Sequence, residues 1–293
     1  MKRFFTAIML SGLLAISAYS QAPTTYFQYP TVPDSISTLQ GRANFLVDHF
    51  WDYCDLKKAF SSRAKMAGAF SDYLSFMPHA TADTVYMSID KFLKKLEKQP
   101  NDLLFIARKA EEYLYSDSAK FWSDELYLPF ARAVAKNKKI DKANKQRFEH
   151  FARILSSTQI GMPAPELKYT DRNGNQGTYA ADTTYSVTVL FFNDPDCDDC
   201  RLARARLNAD IKASYLQKQG IMRVVSICPG EADDAWKDAV KTYPENWAVG
   251  ATPDADEIYD IRNTPSFYLI DENNVIQAKN IGIDEVIAII TRL

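Results

Sequence analysis

Two thiols stand two residues apart in Cys197-Asp198-Asp199-Cys200, and no other pattern in this sequence holds as much chemistry. A pair at this spacing on the first turn of a helix closes a disulfide across that turn, and the helix dipole favours the exposed thiolate. The flanking residues predict that placement. An apolar run, Val187 to Phe192, precedes the pair and an amphipathic stretch, Leu202 to Leu216, follows it, so the segment reads as strand, tight loop and helix. A structural staple and half of a zinc site are the competing readings. A closed zinc site needs two further ligands. The remaining donors, Cys54, Cys228, His49, His79 and His150, are scattered without ligand spacing, which argues against zinc. Cys54 falls on an apolar stripe and reads as a core thiol. Cys228 ends a predicted buried strand and reads as a small hydrophobe, with a third redox partner as its rival role. His49 and His150 fall among helical core positions.

Four acids, Asp194, Asp196, Asp198 and Asp199, crowd Cys197. A carboxylate about 6 Å from a thiolate opposes its ionisation by roughly 0.7 to 2.8 kcal/mol, or about half to two pK units. A helix N-terminus returns typically about 0.3 to 1 kcal/mol, with Arg201 and Arg204 available to assist. On these magnitudes Asp196, Asp198 and Asp199 tune the pair, holding the Cys197 thiol near or above its free value of about 8.5. That disfavours a strong oxidant, which depends on a stabilised thiolate. As a calcium site the four acids lack the spacing of a known loop, and Asp171-Arg172-Asn173-Gly174-Asn175 reads as a hairpin turn, lacking the flanking helices and final Glu of such a site.

The chain has 293 residues, 46% hydrophobic, with a formal charge of −2, so nothing basic argues for nucleic acid. Lys2 and Arg3 precede fifteen largely apolar residues, Phe4 to Ala18, and small residues at Ala18 and Ser20 mark a cleavage point before Gln21. The run is too short to span a bilayer and no later one is longer, so the expectation is an exported, periplasmic protein with no stable membrane span. In an oxidising compartment a vicinal pair is free to be structural, catalytic or both.

From about Asp34 to Ser157 the periodicity is helical almost throughout. Leu46, Phe50, Tyr53 and Cys54 share one face, as do Phe70, Tyr73, Leu74 and Met77; Val85, Ile89, Phe92 and Leu96; and Leu103, Ala107, Ala110 and Leu114. Ser123 reads as a helix start, with Pro129 arguing for a kink or early stop, and Asp141 as the cap of a last helix. Five to seven short antiparallel helices are expected. After Gly161-Met162-Pro163-Ala164-Pro165 strands and helices alternate to the end of the chain, which implies a sheet covered on both faces. The fold class is therefore a two-domain α+β chain: a helical domain over 24–157, behind residues 1–20 as signal peptide, and an α/β domain over 159–293.

Four features in order give that second domain a resemblance: the opening segment Gly161 to Leu167, the strand running into Cys197-x-x-Cys200, the Thr264-Pro265 pair before the strand Phe267 to Ile270, and a closing hairpin and helix. Residues 159–293 resemble thioredoxin-fold proteins of the TlpA/ResA type. The resemblance implies thiol-disulfide exchange, with Cys197 attacking and Cys200 resolving. It also implies a cis peptide before Pro265 that sets Thr264 and Pro265 to bind substrate backbone. Protein thiols or disulfides and an electron-donor protein are the implied partners, with no cofactor. The helical half, through Phe45 to Asp55 and Glu111-Glu112-Tyr113-Leu114-Tyr115, resembles a domain of unknown function fused ahead of TlpA-like modules in the envelope of some Gram-negative bacteria, which implies no activity.

Three departures from that family bear on the chemistry. Asp196 replaces the Trp often found before the first cysteine, Phe191 occupies the position of a buried proton-transfer acid, and Arg201, Leu202 and Ala203 follow the second cysteine where an acid is common. The acids around Cys197 favour a reductase or slow exchanger over a strong oxidant, while these departures count against an enzyme. They also keep alive a noncatalytic binding protein with a structural 197–200 disulfide. A peroxiredoxin-like peroxidase fits less well, because the acids are a poor setting for an activated cysteine.

Overall fold

A computed structural model describes residues 26–179 and 184–293. The expected signal peptide, residues 1–20, and its cleavage point near Ser20-Gln21 lie outside the described residues. Seven α-helices form the first half: α1 (Leu39–His49), α2 (Leu56–Phe60), α3 (Arg63–Phe76), α4 (Ala82–Leu96), α5 (Pro100–Ala110), α6 (Asp124–Lys136) and α7 (Lys142–Ser157). Local chemistry starts five of them. The side chains of Thr38, Asp55, Ser62, Ser123 and Asp141 each accept a backbone N–H from the first turn that follows. The expected stripes on α3, α4 and α5 are all buried, and an aromatic centre links them, with Trp51 stacked on Phe92 at 4.3 Å.

Three expectations for this half need correction. The first helix ends at His49, so Tyr53 turns out to solvent and Cys54 only borders the core. Pro129 neither stops nor shortens α6, which runs seven residues past it. The lost N–H is local, whereas Tyr127, Leu128, Phe130, Ala131 and Val134 are all buried on this helix, and their packing outweighs the loss. His49 and His150 are also not core residues: both side chains are partly exposed and meet carboxylates, at Asp52 (2.7 Å) and Glu257 (3.2 Å). Beyond α5 a single π-helical turn, Glu111–Tyr115, buries the consecutive residues Leu114 and Tyr115.

The second half is one seven-stranded sheet. Its elements are β1 (Leu167–Asp171), β2 (Gln176–Tyr179), β3 (Val187–Phe192), α8 (Asp198–Ala209), α9 (Ile211–Lys218), β4 (Met222–Cys228), α10 (Asp234–Ala239), β5 (Ala248–Ala251), α11 (Ala255–Ile258), β6 (Ser266–Asp271), β7 (Ile276–Ile281) and α12 (Ile283–Thr291). The strand order is β2-β1-β5-β4-β3-β6-β7. Strand β3 pairs parallel with β4 and antiparallel with β6, and it is buried on both faces, as its unbroken apolar run requires. Val189 and Phe191 pack in one layer with Leu207, Leu216 and Ile290, while Leu190 and Phe192 pack in the other with Tyr259 and Tyr268.

The helix expected over Leu202 to Leu216 is two helices. Asp210 takes an extended conformation and its carboxylate accepts the Ala213 N–H, capping a new helix where the pattern alone suggested continuity. The Asp171 to Asn175 turn does join a hairpin, with Gly174 at φ 84° and Asp171 Oδ1 accepting the N–H groups of Asn173 and Asn175, both at 2.8 Å. Tyr169 of that hairpin lies across Gly250 on β5, where a Cβ would stand 2.1 Å from the ring. No helix among the described residues is long and apolar enough to cross a membrane.

The two halves meet through a buried polar cluster. The Tyr115 hydroxyl donates to Asp260 Oδ1 at 2.6 Å, and Lys279 of β7 meets Asp124, the first residue of α6, as well as Asp260 Oδ2 at 3.6 Å. Asp124, Asp260 and Lys279 are all buried. A surface clamp stands beside it, in which Arg153 of α7 donates to Glu257 Oε2 and to the Glu257 carbonyl, each at 2.5 Å.

Candidate active site at the Cys197–Cys200 disulfide

The register of β3 on β6 builds the site. Phe192 pairs with Ser266 at the end of the ladder, so the loop leaving β3 and the loop entering β6 must emerge side by side. The first carries Cys197; the second carries Thr264 and Pro265, joined by a cis peptide bond. Cys197 Sγ consequently lies 3.6 Å from the Thr264 carbonyl oxygen. The structure brings Cys197, Cys200, Thr264 and Pro265 together.

Cys197 and Cys200 form a disulfide with a Cα–Cα separation of 5.2 Å. Cys197 is the N-cap of α8, and its Sγ accepts the Cys200 backbone N–H at 3.1 Å. Their surroundings differ. Cys197 is partly exposed, whereas Cys200 is 1% exposed on the inner face of α8. Of the two sulfurs, that of Cys197 is the one open to an incoming group.

The acids are arranged around this pair without converging on it. Asp194 Oδ1 accepts the Asp196 N–H at 2.9 Å, and the Asp194 carbonyl accepts the Cys197 N–H at 3.2 Å. Asp198 is paired with Arg201 across one turn, and Asp196, Asp198 and Asp199 are exposed. Neither arginine expected to assist the thiolate is directed at it, because Arg201 holds Asp198 and Arg204 stacks on the Tyr243 ring at 3.9 Å. Among the described residues no group of three or more His, Cys, Asp or Glu comes together to hold a metal ion.

Phe191 is fully buried and stacks on Phe267 with ring centres 4.3 Å apart, so the position of the expected acid is sealed by hydrocarbon. A neutral network lies nearby: the buried Tyr243 hydroxyl donates to Asn193 Oδ1 at 2.7 Å, and Asn193 Nδ2 donates to Ser226 Oγ at 2.7 Å. Burial raises the Tyr243 phenol above its ordinary value, with Arg204 opposing. Cys228 ends β4 as a free thiol, pushed up to about 12 by burial first, then by Asp194, Asp233 and Asp196. Cys54 is pushed up to about 11, also chiefly by burial.

Several residues at this site carry no local signal. Arg262 lies two residues before Thr264, its guanidinium 4.2 Å from the Tyr115 ring centre and 5.3 Å from that of Trp122, both in the helical half. The loop that presents Thr264 to the disulfide is therefore held by the other domain. Nothing in the periodicity around Tyr115 or Trp122 points to residue 262.

Residues 15–157 match the family described as a domain of unknown function, DUF5106. No curated protein matches the sequence. Among solved structures the whole chain is similar to a thioredoxin-like protein from Bacteroides caccae, with a TM-score of 0.75 and 24% identity over 91% of this chain and 98% of that one. A part of the chain, 46% of it, aligns with 98% of the thioredoxin domain of a thiol-disulfide oxidoreductase from Bacteroides vulgatus, at 20% identity and a TM-score of 0.40. The chain thus joins a helical domain that matches DUF5106 to a C-terminal domain with the thioredoxin-like fold.

Proposed function

We propose that the protein is an exported thiol-disulfide oxidoreductase that works as a reductase or slow exchanger. The observation that carries the reading is the asymmetry of the pair: a reachable Cys197 Sγ, 3.6 Å from the Thr264 carbonyl, above a buried Cys200. In the reduced protein the Cys197 thiolate attacks one sulfur of a substrate disulfide. A bond forms between Cys197 and that sulfur, and the other substrate sulfur leaves as a thiolate and takes a proton. Cys200, deprotonated, then attacks Cys197 Sγ, which re-forms the 197–200 disulfide and releases the second substrate thiol. Two electrons pass to the substrate, and a dithiol electron-donor protein restores the reduced pair.

The local terms oppose one another. The Cys200 N–H favours the Cys197 thiolate, whereas Asp196, Asp198, Asp199 and the Thr264 carbonyl disfavour it. Phe191 offers no acceptor for the Cys200 proton, so resolution relies on solvent and is slow. Thr264 and Pro265 line the path along which an extended substrate approaches. Export to the periplasm rests on Lys2, Arg3 and the apolar run that follows them.

The sealed position of Phe191 also favours a second reading, a noncatalytic binding protein whose 197–200 disulfide is a staple. Insulin reduction driven by dithiothreitol separates the two. The wild type should accelerate precipitation and the Cys197→Ser variant should not; equal rates would leave the staple reading.

A further inference from the structure

A cleft of about 200 Å³ opens beside Pro265, and both domains line it: Asp117 and Trp122 from the helical half, and Arg262, Asn263, Pro265 and Ser266 from the thioredoxin-like half. It is smaller than the roughly 300–1,000 Å³ pockets that enclose whole small molecules, a size suited to one side chain of something larger.

Most polar groups around it already have partners. Arg262 stacks on Tyr115 and Trp122 and stands 3.9 Å from Asp117. Ser266 Oγ donates to Asn280 Oδ1 at 3.0 Å, and Asn280 Nδ2 donates to Asp260 at 2.9 Å. Even with Arg262 against it the indole of Trp122 stays 48% exposed, and Pro265 beside it is partly exposed.

That exposure is built in. The backbone on either side of Trp122 is pinned, Phe121 N–H to the Tyr113 carbonyl at 2.9 Å and Ser123 N–H to the Leu114 carbonyl at 2.8 Å. Two residues on, Asp124 is buried against Lys279. The indole is thus held beside the cleft by backbone bonds within the helical half and by Arg262 from across the domain boundary. A second, apolar groove on the helical half also includes Trp122 in its wall, together with Leu74, Val85 and Phe121, so the surface continues past the cleft.

We propose that this interdomain cleft is a side-chain subsite for the protein substrate. An extended segment whose cysteine is bonded to Cys197 crosses Pro265 and lays one aromatic or large aliphatic side chain on Trp122. The helical domain would then select clients by the residues flanking their cysteine. The inference rests on the oxidoreductase reading.

The test uses the full chain and synthetic peptides, each with one cysteine disulfide-linked to glutathione, in which Phe is walked through the three positions on either side of the cysteine in a Gly/Ser background. Glutathione release is followed with dithiothreitol as reductant. At one position Phe should raise kcat/KM about five- to tenfold over Gly, through KM. Trp122→Ala should bring that ratio to near one and Trp122→Phe should restore most of it. A wild-type ratio near one at every position, or a ratio that survives Trp122→Ala, would overturn the subsite and leave the oxidoreductase reading intact. Failure of the wild type to release glutathione from any peptide would remove both.

Discussion

The hydroxyl of Tyr115 donates to Asp260 Oδ1 at 2.6 Å across the domain boundary. Asp260 lies four residues before Thr264, so this one bond anchors the loop that faces the disulfide. The same carboxylate accepts Asn280 Nδ2, and the Asp260 carbonyl accepts the Tyr268 hydroxyl at 2.9 Å. Tyr115→Phe removes one donor from a buried carboxylate. Hydrogen bonds to charged groups contribute about 1.5–3 kcal/mol, and urea unfolding should show a loss of that size.

Lys279 and Asp124 make a harsher test. Breaking a buried pair leaves an uncompensated charge, at a cost of about 3–5 kcal/mol. Lys279→Met alone should destabilise by that much in denaturant titration. Adding Asp124→Leu to it should recover most of the loss, and a double variant as unstable as the single one would show that the pair is not the source.

Cys54 and Cys228 should be slow to react. Burial pushes their thiols to about 11 and about 12, so at pH 8 the thiolate that alkylates is scarce. Reduced native protein treated briefly with iodoacetamide should carry label on Cys197 by mass spectrometry, with Cys54 and Cys228 labelled only after denaturation. The sign for stability follows. The folded state keeps protons that the unfolded thiols release from about pH 9, so these two groups make stability fall as pH rises from about 9 to about 12, with no effect below.

Asp196 is exposed one residue from Cys197. Asp196→Asn should lower the apparent Cys197 pKa by about half a unit or more, measured by alkylation rate against pH. An unchanged value would mean that solvent screens the acids and that the Cys200 N–H sets the thiolate.

Cys200→Ser removes the sulfur proposed to resolve the intermediate and should trap Cys197 in a mixed disulfide with substrate, seen as a reducible adduct on gels. Cys197→Ser should trap none, because Cys200 is 1% exposed.

Much of this architecture is legible in the sequence because its signals are local. The run Val187–Phe192 ends at a cysteine pair, a proline precedes β6, and Ser123 and Asp141 cap helices with their own side chains. The errors arise where a short-range signal competes with another force. Asp210 divides an amphipathic stretch because its carboxylate caps the next helix, and Pro129 survives inside α6 because that helix is packed along its length. The domain joint is invisible for a different reason. Tyr115 and Asp260 are 145 residues apart, and no periodicity encodes a single tyrosine meeting a single acid.

The ammonium of Lys279 has a final consequence. Severed after residue 158, the thioredoxin-like half would lose Asp124 and the Tyr115 hydroxyl together, turning a buried seam into an exposed, charged wall near the loop that carries Thr264. A truncated fragment is therefore a poor stand-in for the intact chain: its sheet would persist, while the ledge proposed to receive a client polypeptide would have lost its far side.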